Sequence, residues 1–190
     1  MSAAHVPALV AIAKGPRVTF TLTSVAADEP AMRRYVESAL ADRDAGRALP
    51  FAIVDRRADR VVGSTRFGNI EFWPWPPGNP HQRGEDLPDV VEIGWTWLAP
   101  EVQRTGINTE AKLLMLTQAF ERWRVHRVSL MTHARNTRSR NAILRLGARF
   151  DGVLRAARMA ADGGIRDTAA YSILAQEWPE VKEGLLARLR

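Results

Sequence analysis

No cysteine occurs anywhere in the 190 residues. Disulfides, thiolate metal sites and a cysteine nucleophile are therefore excluded, and any covalent mechanism would need another residue type. There are only four histidines and no H-E-x-x-H spacing, so no zinc or other metal is expected. No apolar run approaches the ~18 residues that span a bilayer. The start, Met1-Ser-Ala-Ala-His-Val-Pro, lacks the basic and apolar regions of a signal peptide. These absences point to the cytoplasm and away from a membrane partner. Lysine is scarce as well. Only Lys14, Lys112 and Lys182 are lysines, so a formal net charge of +6 is carried almost wholly by arginine. That balance suits an anionic ligand, or simply a chain that prefers arginine on its solvated faces.

An apolar content of 46% with 25% charged residues is ordinary for a soluble globular protein. At this length one domain spanning 1–190 is the simplest organisation. Ala8–Ala13 reads as a short helix, with Pro7 in its first turn. Asp28 caps a second helix, with Pro30 early in it and Met32, Tyr35, Val36, Ala39 and Leu40 forming its apolar stripe. Gly46 falls where a helix-ending glycine belongs. Strands follow at 51–55, 61–69 and 90–98. Between the last two lies a long loop, 71–89, rich in proline and tryptophan. A helix over 109–124, a strand over 127–132 and a short helix over 139–146 come next. Strands 154–160 and 166–174, joined by Ala161-Asp-Gly-Gly164, and a helix over 178–190 end the chain. The order α-α-β-β-β-α-β-α-β-β-α predicts an α/β (α+β) fold. A mixed central sheet carries helices on both faces, with a parallel crossover in the middle.

The most informative stretch is Q-R-T-G-I-N-T-E-A, residues 103–111. It joins the strand 90–98 to the start of a long amphipathic helix. Free N–H groups and the positive end of the helix dipole converge at such a turn, which makes it an anion cradle. Gly106 allows close approach, and Thr109 can cap the helix or bind an oxygen.

Three segments in order, V-E-I-G-W-T-W-L-A-P (90–99), Q-R-T-G-I-N-T-E-A-K (103–112) and N-T-R-S-R-N-A-I-L-R-L-G-A (136–148), resemble the GNAT superfamily of acyl-CoA N-acyltransferases. The likeness is greatest to the branch containing bacterial ribosomal-protein N-terminal acetyltransferases. Two departures stand out. Asn108 replaces the usual Gly or Ala, a substitution that tolerates left-handed backbone. No strand precedes the first helix, so the sheet is expected to lack its first edge strand.

The resemblance implies transfer of acetyl from acetyl-CoA to a primary amine, either a protein N-terminus such as a ribosomal one or a small molecule. Attack is direct, in a ternary complex, and no metal takes part. It implies a CoA pyrophosphate site at Gln103, Arg104, Thr105, Gly106, Ile107, Asn108 and Thr109. Backbone near Trp97 and Leu98 pairs with pantetheine where the strands splay, and Asn136 bonds the pantetheine arm. Ser139 faces the sulfur as the acid, or else caps its helix. Strand alternation puts Val91, Ile93, Trp95 and Trp97 on one face and Glu92, Gly94 and Thr96 on the other. Glu92 is the candidate base, against a reading as a salt-bridge partner. Trp95 and Trp97 read as core rather than substrate contacts. Trp73 and Trp75 are open between a substrate lid, a contact within a homodimer and a satellite cluster. His81 and His133 read as surface residues. Two other classes compete. One is a non-catalytic acyl-CoA sensor or interaction module. The other is a nucleic-acid binder, disfavoured because the arginines are dispersed and no dense basic helix exists.

Overall fold

The computed structural model describes all residues, 1–190. Its elements follow the expected order: α1 (Val6–Ala13), α2 (Glu29–Asp44), β1 (Leu49–Asp55), β2 (Arg60–Glu71), β3 (Val90–Leu98), α3 (Ile107–Thr117), β4 (Arg127–His133), α4 (Thr137–Arg145), β5 (Arg149–Met159), β6 (Ile165–Leu174) and α5 (Trp178–Ala187). The strands form one sheet in the order β1-β2-β3-β4-β6-β5. Only β3 and β4 run parallel, as the crossover through α3 requires. No strand precedes α1, and β1 is the sheet's edge on that side. No helix is long and apolar enough to cross a membrane.

Local chemistry explains several boundaries. Asp28 accepts a hydrogen bond from the Ala31 amide at 2.8 Å and starts α2. Gly46, at φ 71°, takes the left-handed turn that ends it. The helix after the cradle begins earlier than its periodicity suggests, at Ile107, with Gly106 as N-cap. It loosens into a π turn over Gln118–Arg122.

Apolar residues bury much of both sheet faces, although β5 stays exposed along nearly its whole length. Val91, Ile93, Val128, Leu130, Tyr171 and Ile173 pack under α3, α4 and α5, against Leu116, Ile143 and Leu185. On the opposite face Val6, Leu9, Met32 and Val36 of α1 and α2 enclose Phe20 and Trp97. Helices thus cover both sides of the sheet.

The 71–89 loop resolves into a satellite cluster. Asp89, buried, accepts the Trp73 amide at 2.7 Å and the Trp75 indole N–H at 2.7 Å. The Trp73 ring stacks on His126 with centroids 5.7 Å apart. No residue of 71–89 lines the main cleft, because the loop joins the opposite ends of β2 and β3. A substrate lid is therefore the wrong reading.

Candidate active site

Pairing between β3 and β4 ends at Glu92 and Ser129. Beyond that point the two strands part, and an open cleft of about 1100 Å³ occupies the gap. Gly94 to Leu98 line one wall, Leu130 to Thr132 the other, and Gln103 to Gly106 with Asn136 and Ser139 close one end.

The cradle has the expected position with a different local geometry. The left-handed residue is Arg104, at φ 65°, and not Asn108, which is already helical. Thr109 lies inside the first turn and is not the cap, because the helix starts at Ile107. Glu110 is the first amide bonded within the helix, to Gly106 O at 2.9 Å. The amides of Arg104, Thr105, Gly106, Asn108 and Thr109 make no backbone hydrogen bond outside the helix, which leaves a cluster of donors at its positive end. Thr105 Oγ1 donates to Val102 O at 2.7 Å and receives the Ile107 amide at 3.4 Å. Gln103 uses its side chain as a staple, donating to Leu98 O at 3.0 Å and Thr19 Oγ1 at 3.2 Å. Arg104, Arg138, Arg145 and Arg188 line the same end of the cleft and give it a cationic rim.

The α4 N-cap is Asn136, whose Oδ1 accepts from the Ser139 amide at 3.0 Å. Capping therefore does not explain Ser139, and its hydroxyl is left in the cleft wall.

Strand β3 departs from simple alternation. Ser64 pairs with Trp97, but Arg66 pairs with Gly94, so β3 carries one extra residue there. Trp95 takes φ 49° in this β-bulge. The bulge reverses the phase of the strand. Trp95 and Trp97 end on the Glu92 side, and Thr96 turns to α3. Trp97 is core, edge-on to Phe20. Trp95 is 38% exposed, lies over Gly68 and lines the cleft. Its reading as core is corrected by the bulge.

Glu92 is only 3% exposed but reaches the cleft. Its Oε2 accepts from Arg158 at 3.0 Å and from Asn69. Oε1 has no hydrogen-bond partner in the protein and sits where a Gly94 Cβ would be 2.9 Å away. The salt-bridge reading and the cleft-facing reading both hold.

Lys112 and His133 were not legible as special. Lys112, in α3, is 4% exposed and has no carboxylate partner. Its Nζ donates to Thr96 Oγ1 at 2.6 Å and Thr65 Oγ1 at 2.9 Å. Burial pushes its ammonium down to about 7. A lysine on an amphipathic helix reads as solvated, and only the bulge that turns Thr96 inward gives it partners. His133 is buried at 3%, not a surface residue, because it ends β4 paired with Thr168 of the interior strand β6. Burial, then Arg135 and Arg166, hold it below the usual histidine range against the opposing pull of Asp162 and Asp167.

A strand-splayed cleft with an amide-rich helix start is the architecture of an acyl-CoA acyltransferase. The chain belongs to the GNAT acetyltransferases: the family model of the acetyltransferase (GNAT) domain matches residues 1–149. A curated relative from Bacillus subtilis (strain 168), named "Putative ribosomal N-acetyltransferase YdaF", is 34% identical over 88 residues. That match spans 46% of this chain and 47% of the relative, so the chain spans about half the length of the curated relative it matches. A GCN5-related N-acetyltransferase from Brucella melitensis superposes with a TM-score of 0.79 at 27% identity, covering 98% of this chain and 78% of that one. The fold is also that of Mycobacterium smegmatis RimJ, solved with CoA-disulfide. The TM-score is 0.79 at 23% identity, over 100% of this chain and 87% of that one.

Proposed function

We propose that the chain transfers the acetyl group of acetyl-CoA to a primary amine by direct attack in a ternary complex. The observation that carries this reading is the parting of β3 from β4 beyond Glu92, which opens onto the free amides of Arg104, Thr105, Gly106, Asn108 and Thr109. The cradle and its arginine rim suit the pyrophosphate of CoA, and the RimJ structure holds a CoA derivative on the same fold. The backbone of Trp97 and Leu98 and the Asn136 side chain serve the pantetheine arm.

In the reaction the amine lone pair bonds to the thioester carbonyl carbon. The tetrahedral intermediate collapses, the C–S bond breaks, and CoA leaves with the sulfur's electron pair. The amine gives up one proton to Glu92 through the free Oε1, directly or through water. Ser139 faces the sulfur and delivers a proton to it, its own being restored from solvent. Lys112 positions the site by holding Thr96 and hence the bulge. The acceptor is an amine on a small molecule or, as the name of the Bacillus relative suggests, a ribosomal protein N-terminus. A cytoplasmic setting, where acetyl-CoA is made and used, fits this role.

Free-thiol release from acetyl-CoA across a panel of amines tests the reading. Gly106→Val is the matching variant. Its Cβ would meet only the flexible end of Leu189 at 3.4 Å, so the fold is expected to stand while CoA affinity falls at least about tenfold. Retained affinity would refute the cradle. CoA binding without thiol release from any amine would make the chain an acyl-CoA sensor instead.

A further inference from the structure

Arg158 on β5 stands directly opposite Arg166 on β6 in the antiparallel register. Like charges at opposed positions cost stability. The register slips between Leu154 and Arg158, with Ala156 at φ 51°, and that bulge is what brings the two arginines together. Both line the cleft, on the sheet face that Glu92 occupies. One carboxylate lies near both cations but pairs with only one. Glu92 bonds Arg158 at 3.0 Å, whereas Arg166 makes no ion pair or hydrogen bond, and its buried Nε has no partner.

The same face continues the pattern. Thr168 lies two residues beyond Arg166 and opposite His133. Thr168 Oγ1 and His133 Nε2 are both buried without partners. Because His133 Nδ1 accepts from the Arg135 amide at 3.2 Å, its proton sits on Nε2, and the unpaired atom is a donor. The nearby acids, Asp162 and Asp167, accept from the Gly164 and Ala156 amides of their own hairpin. Buried donors without acceptors are rare in folded proteins, and here they lie behind a guanidinium that makes no ion pair, although neither His133 nor Thr168 itself lines the cleft.

We infer that the acceptor is a small amine carrying its own carboxylate or phosphoryl group, with its amine at Glu92 and its anion on Arg166 and Arg158. The inference rests on the acetyl-transfer reading above. Glu92, Arg158 and Arg166 sum to one positive charge, which a neutral amine bearing one carboxylate cancels and one bearing a phosphate, at about −1.5 to −2, more than cancels. Contact between Glu92 and Arg158 means that amine and anion are only a few bonds apart, as in an amino acid or an aminoalkyl phosphate. Trp95, with the Arg158 guanidinium 5.8 Å from its ring centroid, walls this site. The donor's phosphates are served elsewhere, at the α3 N-terminus. A basic N-terminus would meet Arg166 as a like charge.

The test compares kcat/KM for matched acceptors: an amino acid and its amide, an aminoalkyl phosphate and its alcohol, and peptides beginning with neutral or basic residues. The anionic member of each pair is expected to lead by about tenfold or more, the worth of a charged hydrogen bond. Arg166→Ala should erase that preference through KM, and Arg166→Lys should restore part of it. The melting temperature of Arg166→Ala should hold or rise, because the opposed charges are relieved, whereas a purely structural arginine would lower it. Turnover that ignores acceptor charge, in wild type and Arg166→Ala alike, overturns the anion site and leaves acetyl transfer standing. If no acceptor releases thiol, the transfer reading fails. Calorimetry of the same pairs on CoA-loaded protein then decides the site: tighter binding of the anionic members sustains it, and equal binding overturns it.

Discussion

Lys112 carries the clearest consequence at the scale of a single residue. In the unfolded chain its ammonium titrates near the ordinary lysine value of 10.5, but burial lowers it to about 7 in the fold. Between these values the unfolded chain holds one more proton than the native protein. Stability therefore rises with pH across that window, by at most about 1.4 kcal/mol per pH unit. Below pH 7 both states are protonated and the full cost of the buried charge remains. Lys112→Met should thus stabilise the protein at pH 6, with the gain shrinking toward pH 10, because Thr65 and Thr96 can still bond each other at 2.8 Å. Urea denaturation at several pH values would reveal this, and a pH-independent loss would contradict it. Glu92 was legible as a candidate because a carboxylate interrupts an apolar strand, and Ser139 because the resemblance places a serine there. Lys112 was not, because its partners come from two strands distant in sequence.

At the scale of the element, the bulge in β3 decides which side chains see the cleft. The sequence marks strand 90–98 at both ends, yet alternation within it fails after Gly94. A tryptophan at positive φ has no compositional signal, since that region favours Gly, Asn and Asp. The same holds for Ala156, whose bulge sets the Arg158–Arg166 pair. Hairpins were readable from Asp162 and its glycines, but their register was not. Gly68 offers a direct probe of the β3 bulge. An added Cβ there would lie 2.5 Å from the Trp95 ring, so Gly68→Ala must displace the indole. It should cost about 1–3 kcal/mol and raise acceptor KM more than KM for acetyl-CoA. An unchanged acceptor KM, measured with a stable variant, would remove Trp95 from the acceptor wall.

For the whole molecule, the arginine excess noted in the sequence has a definite distribution. Part of it rings the cradle, and part lies across the sheet beside Glu92. A net charge of +6 should speed encounter with the polyanionic donor at low salt. Stopped-flow association of CoA is expected to slow several-fold from about 0.02 to 0.5 M salt as screening shortens the field, and a rate independent of salt would leave the rim without a steering role. The order of elements, the mixed sheet and the cradle's place were all readable from periodicity and turn chemistry. The proposed acceptor side was not, because its residues come from β3, β4, β5 and β6 and are brought together by two bulges. That division has an evolutionary corollary. On the proposed reading the donor's pyrophosphate falls to one contiguous loop and helix start, whereas the acceptor's anion falls to the Arg158–Arg166 pair of the β5–β6 hairpin. Descendants of this chain could therefore exchange the acceptor's anion for another group by altering β5 and β6, while inheriting the cradle and Glu92 unchanged.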